Sequence, residues 1–164
     1  MAGLGHLGFG FASKPIAPRV NVLVLLLASE LIDILWGFFY ITGLERFNSS
    51  PLSHSLIMAM IWAVCSTLIA ALIFHDSRSC IVVGILVFGH WVVDFITHPM
   101  GAISGGTPLP PDLPLGINGS SKIGLGLYNH SFAIALISEI TMLITGLLVY
   151  VYYRKSKIRQ AKTF

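Results

Sequence analysis

His90, Asp94 and His98 are spaced four residues apart, a spacing that lines them along one face of a helix. A nitrogen and an oxygen ligand on successive turns, with no thiolate beside them, suit zinc, manganese or non-haem iron. Glu30 and Asp33 stand three residues apart and would share a face in the same way. Glu139 is a further isolated acid. Such a set points to hydrolysis. A divalent ion with one open position lowers the pKa of its water toward 7, and a spare carboxylate, Glu30 or Glu139, serves as general base. His98 is read either as an acid–base residue or as a cap favoured by the helix dipole.

These residues sit in a chain with little other charge. Of 164 residues, 55% are hydrophobic and 10% charged, against about 25% charged in soluble domains. The mean hydropathy is +0.82. Lipid must therefore solvate much of the surface. Four apolar runs, 20–44, 54–74, 80–98 and 130–153, each approach the ~20 residues that cross the hydrocarbon core as a helix. The fold expected is an all-α membrane protein, a four-transmembrane-helix bundle forming one domain. Residues 1–14 form a short re-entrant or interfacial helix, without the basic start of a secretory signal. Residues 99–129, rich in Gly and Pro, form a long cap loop of the kind that covers a site. Residues 154–164 form a basic tail. The two cysteines, Cys65 and Cys80, read as packing residues.

Depth ties the polar residues together. With a rise of about 1.5 Å per residue, Glu30 lies about 16 Å above Arg19, His90 about 15 Å above Cys80, and Glu139 about 22 Å above Arg154. Ionisable groups from three helices thus share one layer near the membrane middle, where an inward orientation is favoured because charge facing lipid is costly. His6 joins that layer if the first helix dips into the membrane. His54 and His130 fall at the outer rim. With both termini cytoplasmic, the inner segments hold eight basic residues and the outer ones only Arg46 and Lys122, a strong positive-inside signal. The basic tail is a topology anchor. Membrane lipids are the expected surroundings, and nothing points to nucleic acid.

The motifs resemble a family. Gly5-His6, Asp33 late in the first span, His54-Ser55-Leu56 opening the second, and Gly89-His90-Trp91-Val92-Val93-Asp94 follow, in order, the pattern of the YdjM-like, LexA-binding, inner-membrane metal-dependent hydrolases. The likeness covers roughly residues 1–100. Leu35 stands where that family has a second acid, and Ser53 where it has threonine. The resemblance implies a bacterial inner-membrane location and His6, Asp33, His54, His90 and Asp94 as metal ligands, zinc first. It implies a hydrolase, and the site's depth beneath a loop suits a lipid or lipid-linked substrate. A more distant likeness is to zinc-dependent phospholipase C, which also presents His-xxx-Asp on helices. Two further readings stay open. One is a non-catalytic subunit of a larger membrane complex, with a protein partner. The other is a transporter or a haem or quinone redox protein.

Overall fold

The structure is a computed structural model that describes residues 3–45, 51–97, 126–129 and 131–162. Among these residues all regular structure is helical. The elements are α1 (Leu4–Ala12), α2 (Val22–Ser29), α3 (Leu31–Ile41), α4 (Pro51–His54), α5 (Leu56–Phe74), α6 (Ser77–Thr97), a single 3-10 turn (Leu127–Asn129) and α7 (Phe132–Ala161). Helices α5, α6 and α7 are each long and apolar enough to cross a membrane, and the α2–α3 pair makes a fourth if it counts as one span.

Helix α6 is the axis of the molecule. Over half of its apolar window is buried, against 17% for α5 and 6% for α7. Its Val83, Val87 and Trp91 form one core with Leu25 of α2, Ile32 of α3 and Val20 before them. A helix buried on this side by α2 and on that by α5 can point polar groups inward without meeting lipid. The turn into α6 is set by His75, whose left-handed φ of 51° ends α5. Asp76 follows and caps the start of α6, accepting from Ser79 N (3.3 Å) and Ser79 Oγ (2.5 Å).

The first span is not the straight helix the apolar run 20–44 predicts. It breaks at Glu30, and its halves are bent by 60°. Ser29 Oγ donates to the Leu26 carbonyl (2.8 Å), a local bond that competes with the helix ladder. The break leaves the last carbonyls of α2 without helical partners, and one of them is used below. The second run also differs. Its helix begins at Leu56 with Ser55 as N-cap, and His54 belongs to the separate one-turn α4. Two indoles hold α4 in place, Trp62 Nε1 donating to Leu52 O (2.8 Å) and Trp91 Nε1 to His54 O (2.7 Å). The basic tail continues α7 to Ala161, because residues 154–161 contain good helix formers and no Gly or Pro.

Helix α1 packs mainly on α7 and next on α2. The contact is backbone on backbone. A Cβ at Gly8 would run into the Met142 carbonyl, and one at Gly146 into the carbonyl of Gly8. Only glycine permits this approach. Most of the proposed cap loop, with His98, Asp112 and His130, lies outside the described residues.

Candidate metal centre

Five ionisable side chains converge where α1, α3, α4 and α6 meet. Helix α6 supplies His90 and Asp94, α3 supplies Asp33, α4 supplies His54, and α1 supplies His6. His90 Nε2 lies 3.3 Å from Asp94 Oδ2 and 3.6 Å from Asp33 Oδ1. His54 Nε2 lies 3.3 Å from Asp33 Oδ1 and 3.7 Å from Asp94 Oδ2. His6 Nε2 is 3.6 Å from Asp94 Oδ1, and its ring lies 3.8 Å, centroid to centroid, from that of His90. His6, His54, His90 and Asp94 are all buried.

The far nitrogens decide what the near ones can do. His90 Nδ1 is 2.7 Å from the Ser29 carbonyl, one of those at the α2 break. A carbonyl only accepts, so Nδ1 carries a proton, and when the ring is neutral its lone pair is at Nε2. His54 Nδ1 is 2.8 Å from Ser53 Oγ, which in turn lies 2.7 Å from Glu45 Oε2. Glu45 Oε1 accepts from Leu52 N (2.6 Å) and Ser53 N (2.9 Å). A carboxylate fits these three donors, so Ser53 donates to Glu45 and accepts from His54 Nδ1–H. His54 Nε2 is then a lone pair as well.

Both Nε2 atoms thus face carboxylate oxygens. His90 Nε2 and Asp33 Oδ2 are buried without hydrogen-bond partners among the described residues, as are both nitrogens of His6. The separations of 3.3–3.7 Å exceed ordinary hydrogen bonds. They match two ligands about 2.1 Å from a common tetrahedral ion, which stand about 3.4 Å apart. Two sets, His54–His90–Asp94 and His6–Asp33–His90, have donor atoms mutually within 4.8 Å. This buried His/Asp cluster could therefore bind a metal ion.

The other acids fall differently. Glu30 sits at the α2–α3 break, with Oε1 buried and without a hydrogen-bond partner. Glu139 is engaged instead. Its Oε2 accepts from Gly5 N at the start of α1 (2.6 Å) and its Oε1 from Tyr128 Oη (2.8 Å). Burial, with Glu139 beside it, pushes the Tyr128 phenol up from its ordinary pKa. His98 lies outside the described residues.

Sequence reasoning missed Glu45, Ser53 and the Ser29 carbonyl. Glu45 gave no signal, standing beside Arg46 in a polar link between two apolar runs, and it does not share a helix with its partner Ser53. The Ser29 carbonyl had none, because the break that exposes it contains neither Gly nor Pro.

Fold and site together define the class: an all-helical chain with membrane-length helices and a carboxylate–imidazole cluster among them. Comparison with protein-family models, curated proteins and solved structures finds no match to this chain.

Proposed function

We propose that the chain is a four-span membrane protein and a metal-dependent hydrolase, acting on a lipid or lipid-linked substrate. One observation carries the reading. The Nε2 atoms of His54 and His90 face Asp33 and Asp94 at ligand-to-ligand spacing, with their Nδ1 atoms hydrogen-bonded elsewhere. Three neutral imidazoles and two carboxylates carry two net negative charges, which a divalent cation offsets in a low-dielectric site. The likeness to the YdjM-like metal-dependent hydrolases supports the same conclusion, with zinc as the first candidate.

A bound divalent ion supplies a water acidified toward neutral pH and a positive charge facing the developing oxyanion. The chain's own residues do the rest. His54, His90, Asp33, Asp94 and His6 would hold the ion. Glu45 through Ser53, and the Ser29 carbonyl, fix the two rings in the ligating tautomer. Glu30, half-buried with its Oε1 lacking a hydrogen-bond partner, is the group to take the proton as general base. Glu139, occupied by Gly5 and Tyr128, holds α1 and with it His6.

Elemental analysis of the purified protein tests the reading. Wild type should carry close to one equivalent of zinc or manganese, or two if both ligand sets fill. The double variant His90→Ala, Asp94→Ala should carry almost none. A metal-free wild type would sink the proposal.

A further inference from the structure

An apolar slot leads away from the cluster. It has a volume of about 650 Å³, within the range of pockets that bind small molecules. His6 and His90 line one end of it. From there it runs along α6 past Val92, Phe88 and Ile85 toward Ile81, flanked by Val64 and Leu68 of α5 and by Phe9 of α1. The stretch of α6 from Val92 to Ile81 is about 16 Å long. Val64, Leu68 and Ile85 are more than half exposed, so the slot opens sideways, where α5 and α6 would meet lipid. At its wall, a Cβ on Gly89 would meet nothing within 4 Å.

We propose that this slot holds the hydrocarbon tail of the substrate, so that the head-group end of the molecule lies at the cluster. The inference rests on the metal-dependent reading above and names the part of the substrate that reading leaves open. Two features point to a hydrocarbon chain joined to a polar head. The slot is apolar along its length, and it ends on His6 and His90, whose Nε2 atoms are buried without hydrogen-bond partners. The lateral opening admits a chain directly from the bilayer. The tail gains no hydrophobic transfer energy on entering, since it exchanges one hydrocarbon environment for another. The slot supplies position instead. It fixes one route for the tail and so one place for the head.

Alkyl hydroxamates test this, because the hydroxamate ligates metal and the tail length is free. The probes are acetohydroxamate and dodecanohydroxamate, titrated into metal-loaded protein in one detergent. The readout is the ratio of long-chain to short-chain affinity, which cancels partitioning when variants are compared. Gly89→Leu fills the slot from its wall. Val64→Trp fills it from an exposed rim, where folding is not at stake. In both, the ratio should fall at least tenfold from the wild-type value. An unchanged ratio in metal-loaded Val64→Trp and Gly89→Leu would overturn the slot, assign it to bulk lipid, and leave the metal centre standing. A wild type that holds no metal would overturn both proposals together.

Discussion

At the scale of single residues, the protonation of two rings is the decisive detail. An imidazole can ligate only through a nitrogen that lacks a proton, and Glu45 enforces this on His54 through Ser53. Glu45→Gln can place an amide N–H against Ser53 Oγ. The serine proton then turns to His54 Nδ1, and Nε2 takes up the proton instead. Metal affinity should fall roughly 10–100-fold, the usual cost of losing an outer-sphere partner. Ser53→Ala should do the same and Ser53→Thr should restore binding, as read by competition with a chelator. Equal affinity in all four proteins would remove Glu45 and Ser53 from the centre. The α6 pair was legible from spacing alone, since i, i+4 residues share a face. The pairing of α6 with Asp33, His54 and His6 was not. Spacing within one helix carries no information about its neighbours: Asp33 was marked by its spacing from Glu30 and His6 by its depth, while His54, placed by depth at the outer rim, was nominated only by the family likeness.

At the scale of elements, the glycine seam between α1 and α7 determines whether His6 reaches the cluster. Gly146→Leu would set a side chain against the Gly8 carbonyl, and overpacking of this kind costs about 1–3 kcal/mol. The helix should shift away and the metal content fall. Gly37→Leu, at a position where a Cβ meets nothing within 4 Å, should leave the metal content unchanged. Elemental analysis of both variants decides the point. The α5–α6 turn gives a prediction in pH. The Ser79 hydroxyl, then its N–H and the Arg19 and Arg78 charges, hold the Asp76 carboxyl below its ordinary 3.8, with burial opposing them. A depressed acid contributes stability that is present above 3.8 and lost as pH falls through its folded-state value. Asp76→Asn keeps a cap but not the charge. Its melting temperature should lie below wild type at neutral pH, and the gap should close under acid. The element boundaries that sequence misjudged share a cause: side-chain-to-backbone bonds at Ser29 and Ser55 break apolar runs that hydropathy reads as continuous.

At the scale of the whole molecule, apolar length made the helical, membrane-length character legible, because that signal sums over some twenty residues and tolerates local error. Helix α7 illustrates the limit. Its 30 residues span about 45 Å, against a hydrocarbon core of about 30 Å, so its basic end must stand clear of the core. The positive-inside rule, applied to the eight-to-two division of basic residues, predicts cytoplasmic termini. A green fluorescent protein fused after Phe164 should therefore fluoresce, and alkaline phosphatase fused there should be inactive. The opposite pair of results would invert the topology.

The α1–α7 seam also has a consequence for biosynthesis. His6 belongs to α1, made well before α7, yet the surface that holds α1 in place, with Met142, Gly146 and Glu139, belongs to α7. Four of the five candidate ligands can assemble as soon as α6 has emerged. The fifth must wait on the membrane surface, or in contact with lipid, until α7 is inserted. The centre is thereby completed only after α7 has been made, and a chain stalled before α7 would keep an open, loosely held site.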